Sequence, residues 1–152
     1  MSDVEFVIRP FTAADQSAAR NLILKGLGEH FGFIDESYNP DLNDIMAHYI
    51  LPGQTFIVAE LQGTIVGTGA LISEGERVGR IVRMSVARDE RRKGIGQALM
   101  AHLIQRARER GFTRLVLETN LAWDDAMGFY RHCGFFEEYR TDRLAHLALE
   151  LL

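Results

Sequence analysis

Residues 91–98 read Arg-Arg-Lys-Gly-Ile-Gly-Gln-Ala, so three consecutive cations run into Gly94 and Gly96 at the start of a stretch with helical periodicity. The first turn of that stretch holds no acidic residue, although Asp and Glu normally favour the exposed, partly positive N–H groups of a helix start. Free amides, two glycines that let a ligand approach the backbone, and Arg91, Arg92 and Lys93 at the same spot describe an anion site for a phosphate or pyrophosphate. The plain alternative is a solvated charged loop capped by glycine. A Walker A loop is absent, and a GxGxxG fingerprint fails at Leu99. Glu118 does lie where a ribose-binding acid would stand, so a dinucleotide reading stays open as a minor one, against which only one β-α-β crossover counts.

The elements that position this segment follow from hydrophobic pattern. Residues 79–87 carry a strand whose stretch Ile81 to Val86 has too few charges to be open on both faces, which predicts a central strand. Ile95, Leu99, Leu103 and Ala107 fall at helical spacing over 95–110, with Arg106, Arg108 and Arg110 in the last turns and Gly111 as terminator. A buried strand is expected at 114–118, a helix at 123–133 ending before Gly134, and a closing hairpin over 135–151. Upstream, Val4 to Arg9 reads as a first strand. Thr12 and Asp15 then resemble a capping box that opens a helix over 13–27, weakened by Gly26 and Gly28. Asn39-Pro40 restarts a helix with Leu42, Ile45, Met46, Tyr49 and Ile50 on its apolar face. Residues 55–72 form a hairpin turning at Gln62-Gly63. The order β α α β β β α β α β β predicts an α/β chain, α+β in its segregation, with a mixed sheet and helices on both faces.

Composition sets the bounds. With 152 residues, 47% hydrophobic and 25% charged, the chain is expected to form one globular domain over 1–152. Seventeen Lys/Arg against 21 Asp/Glu give a net charge of −4, which argues against nucleic acid held by an overall basic surface. No apolar run approaches the roughly 20 residues that span a bilayer, and the first residues lack signal-peptide order, so no membrane partner and a cytoplasmic location are expected. Cys133 is the only cysteine, which excludes a disulfide framework and a cysteine-rich zinc site; no metal is expected.

Arg91-x-x-Gly94-x-Gly96, preceded by Arg83-Met84-Ser85-Val86, resembles the acyl-CoA-binding motif of the GNAT superfamily of N-acetyltransferases. The resemblance continues through Leu115 to Asn120 and through Ala126-x-x-Phe129-Tyr130-x-x-x-Gly134-Phe135, in the same order. It implies a mostly antiparallel seven-stranded sheet splayed at its centre, with acetyl-CoA as co-substrate in the gap. By position, backbone groups of Met84, Ser85 and Val86 would bond pantetheine and polarise the thioester. The amides of Arg91, Arg92, Lys93, Gly94, Ile95, Gly96, Gln97 and Ala98 would hold the pyrophosphate, and Asn120 and Phe129 would line the opposite wall. Tyr130 matches the tyrosine that lies beside the thioester sulfur. Trp123 stands where an Asn is common, and Arg92 where a glycine is frequent.

Amine attack on a thioester needs a neutral amine, a polarised carbonyl and a proton for the thiolate. An alkylammonium is only about 0.1% neutral at pH 7, so a base or a water chain to one matters. Tyr130 is the candidate general acid. The glutamate many family members carry on the central strand is replaced here by Arg80, which leaves Glu118 as a weak candidate base beside Glu74, Glu76 and His30. Cys133 lacks a partner His motif and reads as packing, so direct transfer without a covalent enzyme intermediate is the simpler account. Acceptor contacts are expected from His30, Phe31, Phe33, Asp35, Glu36 and Tyr38 and from Glu137, Glu138, Tyr139 and Asp142, whose carboxylates among aromatics suit a cationic amine. The acceptor, a small molecule or a peptide, and assembly as a homodimer stay open. A non-catalytic acyl-CoA-binding or sensing protein is the alternative function.

Overall fold

The computed structural model describes residues 5–31 and 39–151. Seven strands form one sheet in the order β1-β2-β3-β4-β5-β7-β6: β1 Val7–Pro10, β2 Thr55–Leu61, β3 Thr64–Gly75, β4 Val78–Val86, β5 Arg114–Asn120, β6 Phe136–Arg140 and β7 Leu144–Glu150. Every pairing is antiparallel except β4 with β5, the crossover through helix α2, Ile95–Glu109. The mixed sheet expected from the element order is therefore the fold.

Alternation along β2 divides the core. Phe56 and Val58 face one side with Ala70, where they bury Ala19, Ile23 and Leu24 of helix α1, Gln16–Phe31, and Leu42, Ile45 and Tyr49. Ile57 and Ala59 face the other side, where Leu99, Leu103 and Ala107 of α2 pack with Leu71, Ile81, Leu115 and Leu147. Helix α3, Asp124–His132, adds Met127 to that second layer. The hairpin between β2 and β3 turns on Gln62 (φ 51°) and Gly63 (φ 82°), two successive left-handed residues that match the twist of the strands.

Two helix expectations are corrected. The first helix does not stop at residue 27 but runs through Gly26 and Gly28 to Phe31. Gly26 passes close to β4, where a Cβ would lie 3.1 Å from the Ser85 hydroxyl. Residues 39–50 form a 3₁₀ turn, Pro40–Asn43, and a π-helical turn, Met46–Ile50, rather than one continuous helix. Asp44 is extended between them (φ −152°, ψ 85°), and the Gln16 amide supplies what the broken helix leaves unpaired: its NH₂ donates to the Leu42 carbonyl (2.7 Å) and its oxygen accepts from Ile45 N–H (2.9 Å).

Candidate active site

The site begins where two strands part. β4 and β5 are in register at Val78 with Arg114, Gly79 with Leu115 and Arg80 with Val116, and their pairing ends there. β5 continues to Asn120 against β7, and β4 continues to Val86 against β3. Backbone groups on the facing edges of 81–86 and 117–120 are thus left without a strand partner. The gap widens into a cleft of about 1340 Å³ that reaches the start of α2.

A β-bulge shapes the β4 wall. Thr68 pairs with Ser85 and Ala70 with Val82, so Gly69 alone opposes both Arg83 and Met84. Arg83 takes φ 57°, a left-handed conformation uncommon for a non-glycine residue. Its carbonyl accepts a 2.7 Å hydrogen bond from the buried Thr68 hydroxyl. Its guanidinium clasps Asp41 through Nε (3.0 Å) and Nη2 (2.7 Å) and reaches the Asn39 side-chain oxygen at 3.1 Å. The Tyr49 hydroxyl donates to the same carboxylate at 2.6 Å. Burial alone would raise the Asp41 carboxyl, but the bonds from Arg83 and Tyr49 outweigh it and hold Asp41 below its ordinary range; burial and then Asp41 push the Tyr49 phenol up to about 12. Sequence spacing put Tyr49 only on an apolar helix face and did not mark Asp41, because they meet Arg83 only through the fold.

At the far end of the cleft, Gly94 (φ 84°) caps α2, with open space where its side chain would be. The first intrahelical bond runs from Ala98 N–H to the Gly94 carbonyl at 3.0 Å, so the amides of Ile95, Gly96 and Gln97 precede the ladder while that of Ala98 is already used. Arg91 bonds the Val86 carbonyl (3.2 Å) and Glu29 (3.0 Å), and Lys93 pairs with Glu90 (2.9 Å). Arg92, at φ 66°, has no carboxylate partner among the described residues.

On the opposite wall, the Phe129 ring lies against Gly96, where a Cβ would sit 3.2 Å from it. Tyr130 lines the cleft between Phe129 and Phe135, at ring separations of 5.3 and 6.1 Å. No hydrogen bond among the described residues involves its hydroxyl, and burial, then Cys133, pushes the phenol up to about 12. Tyr130 is therefore a neutral O–H donor throughout the physiological range. Cys133 is half-buried, with burial raising its thiol. At the junction of β4 and β5, Arg80 bonds Glu74 at 2.8 and 3.0 Å and also pairs with Glu118.

Of the residues expected in the site, Met84, Ser85, Val86, Arg91, Arg92, Gly94, Ile95, Gly96, Gln97, Glu118, Phe129 and Tyr130 all line this one cleft. Lys93 and Ala98 do not. Asn120 does not line it either: its side-chain oxygen accepts Ala122 N–H at 2.9 Å and closes the turn after β5, while Trp123 takes a place on the wall. The side chains of His30 and Phe31, and the whole of Phe33, Asp35, Glu36 and Tyr38, lie outside the described residues. Glu137 is held by Arg140 and Arg131, Glu138 by Arg114, and Tyr139 stacks on His146 at 4.2 Å.

Residues 16–135 match the family model described as Acetyltransferase (GNAT) family. The chain belongs to the GNAT family. That membership makes it an acetyl-CoA-dependent acyltransferase. Among curated relatives of this GNAT protein is the uncharacterized N-acetyltransferase YjgM of Escherichia coli K12, 30% identical over 136 residues, which cover 85% of this chain and 81% of the relative. N-acetyltransferase 8 of Rattus norvegicus is 37% identical over 109 residues, 68% of this chain but 49% of the relative. The GNAT chain thus spans about half the length of that mammalian relative. A GNAT-family acetyltransferase from Staphylococcus aureus Mu50 superposes with a TM-score of 0.90 at 24% identity, covering 97% of this chain and 100% of its own. PaiA N-acetyltransferase from Thermoplasma acidophilum, solved with coenzyme A, gives 0.85 at 15%, covering 96% and 99%. No helix among the described residues is long and apolar enough to cross a membrane.

Proposed function

We propose that this protein transfers an acetyl group from acetyl-CoA directly to a primary amine, with both substrates bound together and no covalent enzyme intermediate. The observation that carries this reading is the parting of β4 and β5 after Arg80 and Val116, which opens backbone edges in a cleft lined by an acid-free helix start and by Tyr130. Successive amides at 95–97 and the left-handed residues Arg92 and Gly94 form a concave run of N–H groups suited to a pyrophosphate. Acetyl-CoA supplies an activated acyl group. The chain supplies N–H groups of the 84–86 edge for the oxygen that gains charge during attack, and the Tyr130 proton for the departing thiolate.

Two carboxylates, Glu74 and Glu118, face one guanidinium at Arg80, and this surplus of negative charge at the junction favours a cationic acceptor. Glu118 is the candidate base. Because Arg80 already engages it, that role requires the arriving amine to share or displace the guanidinium.

The deciving experiment measures thiol release from acetyl-CoA across a panel of amines. Release that depends on an added primary amine is the expected result. Tight binding of acetyl-CoA without release on any amine would instead assign the cleft to a non-catalytic binding or sensing role.

A further inference from the structure

The cluster around Arg83 has no part in the chemistry above, yet it grips the backbone that the chemistry uses. Residue Arg83 is fixed at two points: Thr68 Oγ1 donates to its carbonyl at 2.7 Å, and Asp41 holds its guanidinium with two bonds. The carbonyl of Arg83 and the N–H of Met84 belong to one planar trans peptide and point in opposite directions. A carbonyl directed at the Thr68 hydroxyl therefore directs the Met84 N–H away from that hydroxyl, on a stretch of β4 that β5 no longer pairs. Gly69 completes the arrangement: its missing Cβ leaves room for Met84, whose sulfur would lie 2.7 Å from that atom.

We propose that Thr68, Arg83 and Asp41 are positioning residues, a clamp that sets the 83–84 peptide so that the Met84 N–H polarises the acetyl carbonyl. The proposal rests on the acetyl-CoA reading and adds to it the side chains that make the β4 edge a fixed donor. A left-handed arginine is strained, and such strain persists only where surroundings impose it. Here the surroundings are the buried Thr68 hydroxyl on one side and, on the other, the Asp41 carboxylate, itself held by Tyr49. Asp41 is 42 residues distant in sequence from Arg83, so the clamp also ties the turn at 40–43 to the central strand.

Removing the clamp should leave cofactor binding in place and loosen the donor. Thr68→Val removes the hydroxyl at nearly constant shape, Thr68→Ser keeps it, and Arg83→Gly keeps the left-handed backbone accessible while deleting the guanidinium. Misplacing a donor by an ångström can cost about 10²-fold in rate, so a drop in kcat of roughly 10- to 100-fold is expected for Thr68→Val and Arg83→Gly, with recovery in Thr68→Ser. The decisive readout is the infrared stretch of ¹³C-labelled acetyl-CoA bound to each variant, with CoA affinity measured by calorimetry. The wild type should lower the carbonyl frequency relative to free acetyl-CoA, and the two clamp variants should return it toward the free value at CoA affinities within about threefold of wild type. An unchanged frequency and kcat in both variants would overturn the clamp. So would a wild type that binds acetyl-CoA without lowering the frequency, while the binding reading survived. A wild type that binds no acetyl-CoA overturns the binding reading itself, and the clamp with it.

Discussion

In the proposed transfer the proton balance rests on Tyr130, and one substitution separates a donor from a packing tyrosine. The ring is wedged between Phe129 and Phe135, and the residue lines the cleft. Tyr130→Phe keeps the ring contacts and removes only the proton, so kcat should fall by about 10²- to 10⁴-fold while CoA affinity and melting temperature stay near wild type. A packing role would give the reverse pattern, a lower melting temperature at nearly normal turnover. Steady-state kinetics and a melting curve on the same preparation distinguish the two. At this scale the glycine-rich helix start at Gly94 and Gly96 was readable from a local run of residue types, whereas Phe129 and Tyr130 entered only through the family resemblance. Asp41, Tyr49 and Thr68 were not readable, because their importance lies in contacts with Arg83 that only the sheet and its bulge create. Asn120, expected on the opposite wall, uses its side-chain oxygen in the local turn with Ala122.

At the level of elements, α1 runs on through the glycines expected to weaken it, but the strands and α2 were legible because each has a clear period and a terminator, as α2 shows with Arg106, Arg108 and Gly111 (φ 80°) at its end. The segment 39–50 was not: its apolar spacing fits a helix, but Gln16 of α1 compensates the broken backbone from outside the segment. The seam between β1 and α1 offers a test by pH. Asp15 accepts Thr12 N–H at 2.8 Å and two bonds from Arg9, and these, Arg9 first, hold its carboxyl below its ordinary value near 3.8. A carboxyl depressed in the folded state contributes stability that is present above its unfolded value and lost as pH falls. Melting temperature should therefore decline below about pH 4, and Asp15→Asn should be less stable at neutral pH yet show a shallower decline on acidification. Equal slopes for the two proteins would remove Asp15 from the acid response. On the β4 side of the core, a Cβ on Gly79 would meet Leu71 at 2.7 Å, Phe112 at 2.9 Å and Leu115 at 3.0 Å. Gly79→Ala should accordingly destabilise by about 1–3 kcal/mol in denaturant unfolding. An unchanged midpoint would show that this corner of the core is looser than its spacing implies.

For the molecule as a whole, the sheet does two jobs with one irregularity. Its antiparallel halves carry the core, and the single parallel seam between β4 and β5 closes for three residue pairs and then opens as the cleft. The overall order of elements was visible in the sequence, and so was the crossover; the opening was implied only by resemblance, since nothing in the composition of 81–86 or 117–120 says that two neighbouring strands will part. In the proposed reaction this opening, with the start of α2 at its mouth, holds acetyl-CoA. Gly94 gives the most direct test, because its left-handed backbone faces open space and tolerates Asn or Asp, two side chains of nearly equal size that differ in charge. Calorimetric titration with CoA should show Gly94→Asn within about threefold of wild type and Gly94→Asp weakened by about tenfold or more, the added carboxylate standing where the pyrophosphate binds. Equal CoA affinity in folded Gly94→Asn and Gly94→Asp proteins would contradict the account and place the cofactor elsewhere.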